Sequence, residues 1–584
     1  MASAVNHRSD TDIDRSLSPS SQHNTTPSTH SIDIPQPNRL SHDEKVVQYK
    51  SSYSGAGTHD DPYVVSYDID KNDPTNPLNF TDRRKLLITI ITSVSTLVVS
   101  FDSSCFSGAA DAIMQEFNVS EEIFTLGVSL YVLGFGIGPL FWAPLSEMYG
   151  RRVVFYVSYT MFVIWLAAAI GAPNITTLLI FRFLAGSFGS STITNAGGTL
   201  SDMYHARQRG NALSVYSLSV FCGPVLGPVI GGYASMDASW RWTLSIMAIF
   251  AGVMLVLNCL IVPETYAPIL LKRRANEINH SFNHHPNAVH KTVVQVQNAD
   301  TKLSTLMRIA LTRPLQLLLL EPIVLSLATW VAIVYGTLYL AFEAYPIVYQ
   351  VNRGFNPGEG GLTFFSVGLG MVIGVASNQF YFNPLYVRTA ESSHSGRAVP
   401  EDRLPMAMLG GCCVPISLFA FAWTTQRTVH WIAPVLLMTP FGCGIVLTFM
   451  SVNNYLIDCY TKYAASALAA NTLLRSLFGF AFPLFAISMY TAIGAQWATT
   501  ILAFLGLLCV PIPFVLYKYG ELIRMRSERC MKSTRNLMLN KVISHSDVHH
   551  NKHNNDNEHM APITAANTHV EPNSAHDRHV FHHP

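Results

Sequence analysis

The chain has 584 residues, of which 49% are hydrophobic and 13% charged, with a formal net charge of +1 and a mean hydropathy of +0.25. One soluble core of ordinary composition needs far less apolar surface, so a polytopic membrane protein is expected, and the near-neutral charge gives no sign of a nucleic-acid partner. The 9 cysteines, an odd number, sit mostly inside apolar runs without a CxxC pair, and read as packing residues rather than a disulfide or metal framework.

Residues 1–82 are rich in Ser, His, Asp, Asn and Pro and have no apolar period, so they read as a disordered tail. The polar start has no apolar h-region, and no cleavable signal peptide is expected. From Arg83-Arg84-Lys85 onward come twelve apolar runs, centred near Thr96, Leu133, Phe162, Ala185, Phe221, Phe250, Ala328, Gly370, Phe419, Pro440, Leu473 and Leu508. Each is near the roughly 20 residues that cross about 30 Å of hydrocarbon. A polar stretch with His284-His285, Lys291 and Arg308 divides them six and six. The expected organisation is an all-α membrane protein with bundles at 83–262 and 318–518, a central loop at 263–317 and a His-rich tail at 519–584. The tail histidines (His549, His550, His553, His582, His583) fix no tetrahedral geometry and read as solvated.

Basic residues cluster in the loops of one side: Arg83, Arg84, Lys85, Arg151, Arg152, Arg207, Arg209, Lys272, Arg273, Lys518 and Arg524 among them. The other side has little beyond Arg241, Arg353 and Arg427, so both termini and the central loop are expected in the cytoplasm. The first external loop is acidic, with Asp111, Glu116, Glu121 and Glu122. Two sequons, Asn118-Val119-Ser120 and Asn174-Ile175-Thr176, fall on the outer face as glycosylation candidates, although such triplets are common by chance.

Within the fifth run stands Gly223-Pro224-Val225-Leu226-Gly227-Pro228-Val229-Ile230-Gly231-Gly232. Prolines and glycines at that density would wreck a helix in water. In a bilayer they are tolerated, and glycines every fourth residue form a flat stripe for a neighbouring helix. Between the second and third runs lies Ala143-Pro144-Leu145-Ser146-Glu147-Met148-Tyr149-Gly150-Arg151-Arg152. Later come Pro263-Glu264-Thr265-Tyr266, Glu321-Pro322-Ile323, Asn454-Tyr455-Leu456-Ile457-Asp458, and Asn471 followed by Arg475-Ser476. In these stretches the chain resembles the major facilitator superfamily, and among its members the fungal drug:proton antiporters with twelve spans. The resemblance covers about residues 80–520. It implies the major facilitator fold, in which the first, fourth, seventh and tenth helices line a central cavity. It also implies that Glu147, Gly150, Arg151 and Arg152 belong to a gating loop that latches the two halves in one state. Ala143, Glu147 and Met148 depart from the family's usual residues there, and a plain cytoplasmic stop signal is the other reading of Arg151 and Arg152.

An ionisable group inside a span is costly and faces the bundle interior. Few qualify: Asp102 in the first run, Arg182 in the fourth, Glu321 and Glu343 toward opposite ends of the seventh. They are the candidates for proton coupling. Asp102 and Glu343 either serve that role or simply reach the outer interface; Arg182 is either a coupling residue or a structural clamp. Asn453 and Asn454 in the tenth run, with Tyr335, Tyr339, Phe342 and Tyr345 in the seventh, are the cavity candidates. That aromatic stripe, which Tyr349 continues, either stacks cargo or is ordinary packing.

There is no GxxxxGK[ST] loop, HExxH helix or GxSxG elbow, so ATP is not the expected energy source and neither enzyme chemistry nor a cofactor or bound metal is expected. The resulting expectation is a monomeric, proton-coupled exporter of small organic molecules (drugs, toxic metabolites or polyamines) in a fungal plasma membrane, working by alternating access. A proton-coupled importer and a non-transporting membrane sensor are the alternatives.

Overall fold

The computed structural model describes residues 63–67, 73–237, 239–281, 290–292, 303–392, 399–527 and 530. Twelve long helices dominate it: α1 (Asp82–Cys105), α2 (Glu121–Tyr149), α3 (Arg151–Ile170), α4 (Ile175–Met203), α5 (Ala206–Asp237), α6 (Trp240–Ile261), α7 (Pro322–Tyr345), α8 (Phe365–Ser377), α9 (Leu404–Thr424) and α10 (Thr439–Cys459), then α11 and α12. The last two run together as Ala464–Cys509 and are divided at Gly494, whose φ of 79° and ψ of 156° break the helix; α12 continues as Pro511–Arg526. Among the described residues, 10 stretches are long and apolar enough to cross a membrane, the last of them (Ala464–Arg526) holding both α11 and α12. The helix α4 spans 29 residues but is too rich in Ser, Thr and Asn to be among them. The architecture is consistent with twelve spans.

Local chemistry sets the helix ends. Asn174 caps α4 by accepting from Thr177 N at 2.9 Å, and Glu121 and Glu122 fill the first turn of α2, where the helix dipole favours negative charge. Asn118 closes the short helix Ala110–Phe117 in a left-handed conformation, φ 50°, which Asn tolerates better than most residues. The run expected to centre near Pro440 instead begins there, with Pro440 in the first turn of α10, where a missing N–H is harmless.

Helices pack within two halves: α1 on α5, α2 on α4, α3 on α4 and α6 in the first; α7 on α11, α8 on α10, and α9 on α10 and α12 in the second. The halves meet along α2 with α11 and α5 with α8, and one apolar cluster runs across that seam from Phe106, Val132 and Phe221 to Trp330, Tyr339 and Val446.

The glycine motif explains how α1 and α5 lie so close. A Cβ built on Gly223, Gly227 or Gly231 would fall 2.5 Å from Ser100 Cβ, 1.9 Å from Ser104 Oγ and 2.2 Å from the Cys105 carbonyl. Pro228 has no N–H, so the Pro224 carbonyl loses its intrahelical partner; Ser104 Oγ donates to it instead at 2.8 Å. Gly232 lies against the second half, where a Cβ would meet the Pro357 carbonyl at 2.5 Å.

Three features add detail to the helical architecture. Outside the spans, Tyr63–Val65 (β1) pairs in parallel with His290–Thr292 (β2). Order therefore reaches back into the 1–82 tail, where Arg274 also binds Asp73, because a backbone ladder and an ion pair hold these residues to the central segment. That segment holds helices Ala267–Ser281 and Leu303–Leu320 rather than loop alone. Finally, α12 continues past 518 to Arg526, which Arg524 secures by a two-point hydrogen bond to Glu401, both at 2.8 Å. The tail histidines 549–583 and His284-His285 lie outside the described residues. All nine cysteines are free.

Candidate functional site

Buried polar groups flank the seam between the halves. On its first-half side, Arg182 Nη1 lies 2.8 Å from Asp102 Oδ2, with both side chains at 0% exposure. Arg182 Nη2 donates to the Asp102 carbonyl at 3.1 Å and Nε to the Gly127 carbonyl at 3.4 Å. Its guanidinium carbon sits 4.8 Å from the Phe106 ring centroid and 4.3 Å from that of Tyr131, and Tyr131 is itself anchored by donating to the Val99 carbonyl at 2.9 Å. Asp102 Oδ1 has no hydrogen-bond partner. The carboxylate is thus held by one cation in a fully buried setting.

One residue on, Ser103 crosses the seam: its hydroxyl and that of Tyr339 are 2.9 Å apart. Tyr335 donates to Tyr339 at 3.4 Å, and the Tyr335 ring lies against Arg475 of α11, 4.6 Å from centroid to guanidinium carbon. Phe449 covers Arg475 at 4.9 Å and meets Phe221 of α5 edge-on, centroids 4.8 Å apart. Helix α7 therefore touches both buried arginines' surroundings.

The aromatic stripe of α7 is split in its company. Tyr335 and Tyr339 face the seam, and Phe342 packs edge-on against Tyr339 at 5.4 Å. Tyr345 turns into the second half, stacking on Phe364 at 4.1 Å and Phe421 at 5.6 Å. In this conformation all four side chains are buried. Glu343 is buried with Oε1 unpartnered. Glu321 stands elsewhere, at the start of α7, where it accepts from Tyr460 at 3.0 Å. Asn453 accepts from Asn471 at 2.9 Å and so ties α10 to α11; Asn454 is part-buried.

The loop joining α2 to α3 is organised by an acid other than Glu147. Glu264 accepts from the backbone N–H of Arg151 (3.0 Å) and Arg152 (3.1 Å). Gly150, at φ 97°, has no room for a side chain, since a Cβ would lie 2.3 Å from Glu264 Oε2. Arg151 then reaches Asp202 at 3.4 Å and Ser146 at 2.6 Å, while Glu147 is exposed and takes no part in these bonds. Ser146 and Asp202 belong to the first half and Glu264 to the segment that follows α6, so none of these partners comes from the second half. The second half repeats the plan, with Arg403 on Asp458 at 3.1 Å. Asn118 and Asn174 are both exposed.

The sequence missed Arg475, Ser103, Tyr131, Asp202 and Glu264 as site residues. A signal existed for Arg475, the only charged residue between Lys462 and Lys518.

A family model described as Major Facilitator Superfamily matches residues 92–483. The chain belongs to that superfamily. It is 48% identical to the MFS-type efflux pump MFS2 of Trichophyton rubrum, over 81% of this chain and 78% of that protein. It is 46% identical to the major facilitator superfamily multidrug transporter mdrA of Aspergillus fumigatus, over 84% and 79%, and 41% identical to the efflux pump FUB11 of Gibberella moniliformis, over 90% and 87%. Among solved structures it is similar in fold to the proton:xylose symporter XylE, with a TM-score of 0.53 and 16% identity over 75% of this chain and 96% of that one. The protein is a multi-pass membrane transporter of a small molecule.

Proposed function

We propose that the protein exports small organic molecules across a fungal plasma membrane in exchange for protons, its two halves rocking about the central seam as one monomer. Both termini and the basic loops lie in the cytoplasm, in keeping with the charge asymmetry of the loops. The efflux-pump and multidrug-transporter names of the relatives support export. The observation that carries the coupling is the wholly buried Asp102–Arg182 pair beside the Ser103–Tyr339 bridge. A charge pair this deep is stable only while it stays together. A proton and the guanidinium compete for one carboxylate, and the exchange of one for the other changes the charge beside the very hydroxyl contact that closes the seam. Glu343 is a second carrier candidate without such a competitor.

An accumulation and susceptibility screen of cells lacking and overproducing the protein, across azoles, polyamines and toxic metabolites, tests export. Lower intracellular levels of at least one compound in the overproducer, abolished by a protonophore, are expected. Unchanged accumulation of all of them would remove the export reading, and raised accumulation would favour import.

A further inference from the structure

Arg475 is 4% exposed and lies between the rings of Tyr335 and Phe449, yet neither its Nε nor its Nη1 has a hydrogen-bond partner. No described carboxylate pairs with it, and the guanidinium cannot shed its charge. Stacking on two rings recovers only part of what leaving water costs a cation. A charge left in this condition is a site for an anion. Its position agrees with that role. The two rings that hold it are the ones that touch the opposite half, Tyr335 through Tyr339 to Ser103 and Phe449 directly on Phe221. One turn further along α11, Gly479 has no side chain; a Cβ there would meet Val132 of the first half at 2.8 Å and the Tyr335 ring at 3.1 Å. Anything that binds Arg475 when the halves part sits at the seam with an aromatic surface beside it.

We infer that Arg475 is the anion-recognising residue of the cargo site, and that the cargo class is planar organic acids bound as their anions. The acid group takes the free N–H donors of the guanidinium, which match a carboxylate better than an ammonium would. The flat body lies against Tyr335, Phe449 and Phe221. This assignment rests on the export reading above and adds the chemical class of what is exported.

The test uses the purified full-length protein and two probes of equal shape, 1-naphthoate and 1-naphthamide, with binding followed by quenching of tryptophan fluorescence. The wild type is expected to bind the acid about 10- to 100-fold more tightly than the amide. Arg475→Gln should lose that preference while keeping its affinity for the amide, and Arg475→Lys should keep part of it. Equal affinity for acid and amide in the wild type, which needs no variant, would overturn the assignment, as would a preference that survives in Arg475→Gln. Chloride competing as strongly as 1-naphthoate would make this an inorganic-anion site and overturn it also. Accumulation of 1-naphthoate in proteoliposomes under a pH gradient separates the two claims. A preference that depends on Arg475 without accumulation supports the site and removes the exporter; accumulation of acid and amide alike, unchanged in Arg475→Gln, supports the exporter and removes the site.

Discussion

Arg182 and Arg475 are the buried arginines among the described residues, one in each half, and both lie within 5 Å of two aromatic rings. They differ in what neutralises them. Arg182 has Asp102 at 2.8 Å and two backbone carbonyls; Arg475 has rings alone. A satisfied pair resists opening and so can store a state, whereas an unsatisfied cation gains from a ligand. The same side chain in two settings thus suits coupling in one half and recognition in the other.

The largest expected effect comes from breaking the satisfied pair. Arg182→Ala leaves Asp102 as an uncompensated buried carboxylate, which should cost about 3–5 kcal/mol of stability and show as a large drop in thermal unfolding temperature. Combining it with Asp102→Asn removes both charges and should restore much of the loss. A single Arg182→Ala variant that melts like the wild type would mean that the pair is not what holds α1 to α4.

Next comes the frame that places Asp102. Gly227→Leu drives a side chain into Ser104 and Cys105 of α1, where a Cβ alone already falls 1.9 Å from Ser104 Oγ. Overpacking of this kind costs about 1–3 kcal/mol or more, so folded yield and transport should both fall. Normal yield with normal transport would show that α1 and α5 can separate freely, and that Asp102 is not fixed by the stripe.

A smaller effect is expected at the bridge between the two environments. Tyr339→Phe removes the hydroxyl contact to Ser103, worth about 1 kcal/mol, and should raise hydrogen exchange along the seam face of α7 by roughly fivefold. No change would mean the seam is closed by apolar packing alone. Smallest is the stability change on removing Arg475. Because its charge is uncompensated, Arg475→Gln should melt within about 1 kcal/mol of the wild type, or above it. Severe destabilisation would show that the cation has a structural partner after all, and would erase the contrast with Arg182.

Much of this was legible beforehand, and for identifiable reasons. Apolar run lengths gave the spans, since hydrocarbon thickness is a hard constraint, and the spacing of Gly223, Gly227 and Gly231 gave a close helix approach. Asp102 and Arg182 stood out because charges are rare in spans, though nothing in a linear pattern says they touch across 80 residues of chain. Glu147 is legible as a loop acid only through the resemblance, where it holds the acidic position ahead of Gly150 and Arg151. The backbone N–H groups of Arg151 and Arg152 are met by Glu264 from beyond α6, a contact of 113 residues' separation that no local spacing encodes. Arg475 was read only as part of a family-like stretch; its lack of a counter-charge is a property of the packed interior and is invisible in sequence. The stripe of α7 was periodic, but periodicity does not tell which ring meets the seam and which the second half's core.

The most direct test of the account is transport by Asp102→Asn in sealed proteoliposomes, using a compound that the accumulation screen identifies as cargo, with and without a pH gradient. Amide for carboxyl keeps the shape and removes the proton-binding charge. The account predicts that the variant still binds cargo and exchanges it across the membrane at equilibrium, but no longer accumulates it against a gradient when protons flow the other way. Accumulation at the wild-type rate in Asp102→Asn, and again in the double variant with Glu343→Gln, would contradict it.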